Sequence, residues 1–338
     1  MSVIEGVHED HEATFTERDG HRVVADYGRP ERTHRAVRNV AGTIEMGYDI
    51  RIVTGPDRVS AVDDALAAAV PETDGQGTYG FLLESGAIAA EAAVYNAAES
   101  DRLLAFCSPG RGDVLETAVG SAATVTDATA DLAVFGVHGP QATEKIASVL
   151  STGGGAPEPA GAFTRGTMGE EGVTVIATDA PTGEEGYEVV CDAGEAERVF
   201  DTLVNRGLNA APFGYRTWAS LTLEAGTPLL SDLRGRDPAV LAGGDDAGER
   251  LLGLTAEAVP EPGAALLAGG EEGGDGAVGT VTRALESPSL DEPIALAVAS
   301  GPFDAVETDA GTAAASEASL PFVEGSARSG RLPERDGR

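Results

Sequence analysis

The strongest constraint on how this chain can fold is a pattern that occurs twice. Ile50 to Val53 alternates into Gly55-Pro56, and Val59, Val62, Leu66 and Val70 follow at helical spacing. That reads as strand, turn and amphipathic helix. Further on, Leu132 to Val137 is an apolar strand reaching Gly139-Pro140, after which Ile146, Val149 and Leu150 mark a helical face ending in Gly153-Gly154-Gly155. The two Gly-Pro pairs lie 84 residues apart (139 minus 55). A duplicated α+β unit produces such an echo, and so does chance when one short motif recurs once.

The rest of the chain keeps the α+β texture until about residue 241. Val173-Thr174-Val175-Ile176 and Tyr187 to Val190 flank the turn-forming Pro181 to Gly186, which predicts a hairpin. A helix with Val199, Phe200, Leu203 and Val204 on one face follows, stopped by Gly207, and another covers Tyr215 to Ala225, ended by Gly226. Residues 242–249, AGGDDAGE, have no periodicity and nothing to bury, so they read as a linker. Beyond them, short runs such as Leu251 to Leu254, Val278 to Val281 and Ile294 to Val298 are separated by Gly, Pro and acids, which predicts a small β-barrel or sandwich over 250–323. The Gly-, Ser- and Arg-rich stretch 324–338 reads as a disordered tail. At roughly 150 residues per domain, a length of 338 fits two domains.

Charge narrows the partners. Asp and Glu number 56 against 23 Lys and Arg, a formal net charge of -33, and Lys145 is the one lysine. Nucleic acid is a poor partner for such a field. Acids spread between apolar positions, with lysine almost absent, are what molar salt selects: at about 1 M the Debye length is only about 3 Å and self-repulsion is screened. The surface reads as a halophile's. Cys107 and Cys191 are far apart, without a CxxC or a histidine at metal-ligand spacing, so no metal site is expected. The acidic start and the lack of an 18-residue apolar run predict a cytoplasmic protein with no membrane role.

Motifs of known chemistry are few: no Walker loop, HExxH, GxSxG or well-placed GxGxxG occurs. His34 and His138 have the chemistry of general bases and equally that of structural hydrogen-bonders. Arg29, Arg32 and Arg35, around His34, form a basic cluster that could hold an anion or simply neutralise an acidic surface.

Taken together, longer motifs are recognisable. Asp26-Tyr27-Gly28 running into His34-Arg35-Ala36-Val37-Arg38, Ile52 to Pro56, Val137-His138-Gly139-Pro140-Gln141, Thr182-Gly183-Glu184-Glu185-Gly186-Tyr187-Glu188-Val189 and Leu223 to Leu229 resemble, in order, the landmarks of the glycine-cleavage T-protein (aminomethyltransferase) superfamily. Ser287 to Leu290, Pro293 to Ala297 and Leu320-Pro321-Phe322 are similar to that family's barrel domain. The resemblance implies an α+β fold: a three-lobed tetrahydrofolate-binding body over 1–241 with a C-terminal small β-barrel. It also implies that Glu188 grips the pterin, where a carboxylate can accept two parallel hydrogen bonds. Tyr187 would lie beside the ring, although strand alternation points it the other way. Tyr27, Arg216 and Trp218 complete the implied folate-contacting set.

Two departures shape the functional expectation. Where aminomethyltransferases carry a GGxxDD-like segment whose aspartate assists chemistry at the folate N5, this chain reads Gly86-Ala87-Ile88-Ala89-Ala90-Glu91. A methyl cannot move a proton, so Ala90 argues against transfer and Glu91 is left as the catalytic candidate. After Pro228 to Leu233, both the aminomethyltransferase and the assembly branch of the family continue through a longer loop, with a Lys-Gly-Cys-Tyr-x-Gly-Gln-Glu-like or related sequence. This chain passes from Leu241 to Leu251 through a short Gly- and acid-rich stretch, and neither cysteine stands in the loop's place. The resemblance then implies a folate-binding, non-catalytic protein, and the run Gly214-Tyr215-Arg216-Thr217-Trp218 resembles most the folate-dependent iron-sulfur cluster assembly (YgfZ-like) branch. An active aminomethyltransferase passing a one-carbon unit to tetrahydrofolate is the alternative, and a paralogue without folate is a third. Folate is the expected partner, with an iron-sulfur client or a lipoyl carrier protein as the protein partner.

Overall fold

The computed structural model describes residues 2–206, 209–242, 248–268 and 276–332. Helix α1 (Glu5–Asp10) leads into a hairpin of β1 (Thr14–Arg18) and β2 (His21–Asp26). Helix α2 (Pro30–Asn39) starts on a proline, which that position tolerates because its N–H would have no helical partner, and β3 (Gly42–Glu45) follows.

The first Gly-Pro pattern becomes β4 (Asp49–Thr54), α3 (Arg58–Asp63), the meander β5 (Gln76–Glu84), β6 (Ala87–Ala97) and β7 (Arg102–Cys107), then α4 (Gly112–Val119) and β8 (Thr124–Asp127). The strands form one sheet ordered β5-β6-β7-β4-β8. The second becomes β9 (Leu132–His138), α5 (Ala142–Val149), β10 (Leu150–Ser151), the meander β11 (Phe163–Met168), β12 (Glu171–Ala177) and β13 (Gly186–Asp192), then α6 (Ala196–Asp201) and β14 (Ala211–Pro212). Together with β3 these form a sheet ordered β10-β11-β12-β13-β9-β3-β14. In both, the last meander strand returns to pair antiparallel with the opening strand, and a helix follows it. The turn glycines Gly55 and Gly139 have φ of +121° and +140°, a region that L side chains rarely enter, so both turns require glycine. The predicted hairpin is the β12–β13 pair, in the register Thr174↔Val190.

Helical spacing predicts a helix from Val59 as far as Val70, and α3 is shorter. The Asp63 carboxylate accepts the Val70 N–H at 2.8 Å and the Ala67 N–H donates to the Phe81 carbonyl, so the chain leaves the helix for the sheet. Each sheet buries one face under its helices. Val53, Leu82, Ala90, Val94, Leu103 and Cys107 pack with Val62 and Leu115 from the first pair. Phe135, Val137, Tyr187, Val189 and Cys191 pack with Ile146 and Phe200 from the second.

The chain divides into two compact units, Met1–Asp179 with Glu184–Trp218, and Ala180–Gly183 with Ala219–Arg338. The cut falls inside α7 (Tyr215–Glu224), upstream of the change of texture at residue 241. The second unit holds α8 (Leu230–Leu233) and a closed six-stranded barrel of β15 (Arg250–Ala256), β16 (Ala265–Leu267), β17 (Ala277–Glu286), β18 (Pro293–Ala299), β19 (Ala305–Thr308) and β20 (Gly311–Ala318). Leu252, Leu254, Leu266, Val281 and Val306 fill its core. Glu224, fully buried, accepts from the hydroxyls of Ser287 at 2.6 Å and Ser289 at 2.8 Å, which ties α7 to the Ser287–Leu290 turn. Most of the expected linker, 243–247, lies outside the described residues. Of the expected tail, 324–332 follows a definite course: the Ala327 N–H donates to the Gly183 carbonyl at 2.8 Å, and Ser329 and Leu332 are buried. Residues 333–338 lie outside the description.

Candidate functional site

The face of the second sheet turned away from its helices carries the first part of the site. Residues directly opposite across an antiparallel pair point to the same side. The register Gly186↔His138, Glu188↔Gly136 and Val190↔Val134 therefore puts Glu188 and His138 on one face, and Tyr187, Val137 and Phe135 on the other, in the core. Phe163↔Ile176, Ile176↔Glu188 and Ile44↔Gly136 extend the row across β11, β12, β13, β9 and β3. Glu188 is 6% exposed, and its Oε1 accepts the Tyr48 hydroxyl proton at 2.6 Å. Gly136 and Gly186 make room for the His138 ring, since a Cβ on them would come within 2.7 and 2.5 Å of its nitrogens. Trp218 packs against the same ring at 5.1 Å.

The first sheet supplies the second part. On β6, Ala90, Ala92 and Val94 point into the core, so Glu91, Ala93 and Tyr95 point away from it, alongside Phe106 of β7. Tyr48 stacks on Phe106 at 5.4 Å with 6° between the planes, and Tyr95 lies tilted on the same ring. Tyr95 in turn meets Phe163 of the second sheet edge-on at 6.3 Å. An aromatic ladder thus joins the face that carries Glu91 to the face that carries Glu188. Both oxygens of Glu91 are held: Oε1 accepts from the Ser108 hydroxyl at 2.8 Å and Oε2 from the Tyr79 hydroxyl at 2.5 Å.

This geometry corrects several expectations from sequence. Tyr187 belongs to the core, its hydroxyl 2.9 Å from that of Thr143 and its phenol pushed upward by burial. Tyr27 is engaged elsewhere: its hydroxyl lies 2.7 Å from His8 Nδ1, and His8 Nε2 lies 2.8 Å from Glu45 Oε2. Glu45 pairs with Phe135, which puts that chain on the opposite face from Glu188. Burial and the Glu45 charge push the Tyr27 phenol far above its ordinary value. Arg216 is two-thirds exposed and pairs with Asp26 at 3.0 Å. Trp218 does reach the Glu188 face, through His138. Ala90 is fully buried in the core, so its methyl has no bearing on the site; Glu91 is the side chain that faces it.

The other candidates settle into structural places. His34 is fully buried, Arg32 and Arg35 are exposed on α2, and Arg29 is exposed at the position just before it. Arg38 reaches Glu184 at 3.2 Å in the loop before β13. Burial pushes the thiols of Cys107 and Cys191 up to about 12. Among the described residues no group of three or more His, Cys, Asp or Glu is gathered to hold a metal, and no helix is long and apolar enough to cross a membrane. Sequence reasoning missed Tyr48, Tyr79, Tyr95, Phe106 and Ser108. The alternation of β6 already puts Tyr95 on the side of Glu91, whereas nothing local links Tyr48 to a residue 140 positions away.

Two sheets presenting a buried carboxylate and an aromatic ladder, followed by a closed barrel, define a class of fold that can be compared. The model of the GCVT N-terminal domain family matches residues 4–243, and the chain belongs to that family. It is 30% identical over 246 residues to the aminomethyltransferase of Cutibacterium acnes, covering 68% of this chain and 66% of the relative. It is 28% identical over 255 residues to a probable aminomethyltransferase of Halobacterium salinarum, covering 67% and 64%. The match spans just under two thirds of these relatives' own length. The glycine cleavage system aminomethyltransferase T from Bartonella henselae has the same fold, with a TM-score of 0.81 at 22% identity over 97% of this chain and 99% of that one.

Proposed function

We propose that this is a cytoplasmic, tetrahydrofolate-binding protein adapted to molar salt, with Glu188 as its pterin contact. The observation that carries the reading is the setting of Glu188: a nearly buried carboxylate beside a glycine strand position and at the end of an aromatic ladder. Such a group pairs with a flat ring that brings adjacent N–H donors, and aromatic walls favour a flat ring. Charge-assisted hydrogen bonds contribute about 1.5–3 kcal/mol each, so Glu188→Ala is expected to weaken tetrahydrofolate binding at least about tenfold with the melting temperature preserved. Calorimetric titration of both proteins in molar salt is the test, and equal affinities would end this assignment.

On chemistry, we place the protein with the binding, iron-sulfur assembly side of the family, on the run Gly214-Tyr215-Arg216-Thr217-Trp218, which resembles that branch; the passage from Leu241 to Leu251, too short for the longer loop of either branch, argues against transfer. One observation favours a second reading, transfer of an aminomethyl carbon to the folate with Glu91 as the catalytic carboxylate. Glu91 is fixed by Tyr79 and Ser108 and faces the aromatic ladder. Tetrahydrofolate N5 would form a new bond to the carbon as the carbon's bonds to the lipoyl sulfur and to the amino nitrogen break, releasing the dihydrolipoyl thiol and ammonia, and Glu91 would hold or move a proton beside N5. Turnover with a lipoyl carrier and tetrahydrofolate separates the two. Background rates are expected; robust turnover that falls about 10²- to 10⁴-fold in Glu91→Gln would install the transferase reading.

A further inference from the structure

We infer that Tyr48 is the positioning residue that sets the plane of the Glu188 carboxylate, and that it thereby selects planar ligands with two adjacent N–H donors. Tyr48 is fixed at three points. Its backbone follows Gly47, whose N–H donates to the Tyr215 hydroxyl at 2.8 Å. A Cβ at Gly47 would come within 2.6 Å of Val23, so that backbone position holds only glycine without a shift. Its ring lies flat on Phe106, 6° from parallel. Its hydroxyl proton is donated to Glu188 Oε1 at 2.6 Å. A hydroxyl has one proton to give, and a carboxylate accepts along about four lone-pair directions. Tyr48 takes one of these directions and fixes the orientation of the group for donors that approach along others. Tyr48 also touches both parts of the site, Phe106 from the first sheet and Glu188 from the second.

The consequence is selectivity. A ligand making a single bond to Glu188 tolerates a carboxylate turned about its axis, whereas a ligand making two parallel bonds does not, because both oxygens must lie in its plane. This inference rests on the folate reading of Glu188, and the experiment separates the two. Tetrahydrofolate and an analogue carrying a methyl in place of the pterin 2-amino group are titrated into the wild type, Glu188→Ala, Tyr48→Phe and Phe106→Leu. Tyr48→Phe keeps the stacked ring and removes only the hydroxyl. It is expected to weaken tetrahydrofolate binding by about fivefold or more while shifting the methyl analogue by less than about twofold, at an unchanged melting temperature. Phe106→Leu, which keeps the hydroxyl but removes its ring support, is expected to show a smaller loss with the same preference. Equal losses for the two ligands would reduce Tyr48 to a structural role, and no loss would remove it altogether. If the wild type binds and Glu188→Ala weakens it while Tyr48→Phe does not, this inference fails alone; a wild type that binds neither ligand overturns the folate reading as well.

Discussion

Strands β7 and β13 occupy the same place in their two sheets, yet they differ on the face turned away from the core. The register fixes the equivalence. Thr54↔Arg102 in the first sheet matches His138↔Gly186 in the second, Ile52↔Leu104 matches Gly136↔Glu188, and Asp49↔Cys107 matches Ala133↔Cys191. Each pair keeps the 84-residue offset of the two Gly-Pro turns (191 minus 107). On the core side the two sheets agree in kind: Leu103 and Tyr187, Ala105 and Val189, and the two buried cysteines. On the other side Leu104 stands where the second sheet has Glu188, and Arg102 where it has Gly186. Packing restricts the core face to apolar groups of fitting volume. The opposite face is free of that demand, and at this register position the first sheet presents an apolar side chain beside its aromatic ladder while the second presents a carboxylate.

The largest effect that would break this picture comes from β6, where the two faces are adjacent residues. Ala90→Asp puts a carboxyl among Val62, Leu82 and Val94 with no partner designed for it, and is expected to cost about 3–5 kcal/mol. Glu91→Gln, one residue on, keeps the size and one acceptor oxygen, while its amide N–H can donate to the other of the two hydroxyls, Tyr79 or Ser108, once that hydroxyl turns to accept; it is expected to stay within about 1 kcal/mol of the wild type. Urea unfolding of both variants checks this. If Ala90→Asp were tolerated and gained folate affinity or turnover, the orientation of β6 assigned here would be wrong.

The strand periods, the Gly-Pro turns and the barrel were legible because each is a local pattern enforced by local physics. Gly55 and Gly139 announce turns that only glycine makes, and β15, β17 and β18 follow short apolar runs bounded by breakers. The end of α3 was not legible, because helical spacing continues through Leu66 and Val70 while a single carboxylate, Asp63, diverts the chain. At the site, Glu188 and Glu91 could be picked out by motif and face. Tyr27 and Tyr187 could not be dismissed from sequence, since their true neighbours, His8 and Thr143, lie 19 and 44 positions away.

The next comparison sets the unlike pair against each other. Glu188→Ala is expected to cost about 1.5–3 kcal/mol of tetrahydrofolate affinity, whereas Leu104→Ala, at the equivalent place in the first sheet, should change that affinity by less than about twofold. Side-by-side titrations decide it. An equal loss in Leu104→Ala would mean that Leu104 contributes as much as the carboxylate, and that the division of labour between the two sheets is false.

The smallest effect concerns the like pair, Cys107 and Cys191. Burial pushes both thiols up to about 12, while an unfolded thiol titrates near about 8.5. The folded pKa is raised, so the unfolded chain loses protons that the native protein keeps, and stability falls as pH rises above the unfolded value. Between about pH 8.5 and 10 this loss approaches about 1.4 kcal/mol per pH unit for each thiol, before the buried tyrosines Tyr27, Tyr187 and Tyr215 begin to add theirs. Because the two cysteines hold equivalent core positions, Cys107→Ala and Cys191→Ala should each remove about half of the cysteine share of that slope. Each should cost only about 1 kcal/mol at neutral pH, where the slope has not begun. Stability against pH for the two single variants and the double variant measures it, with iodoacetamide labelling of the native protein as a second readout, expected to be slow at both sites. One thiol that labels quickly or leaves the slope unchanged when removed would show that the two sheets do not bury this position alike, and their equivalence would then stop at the turns.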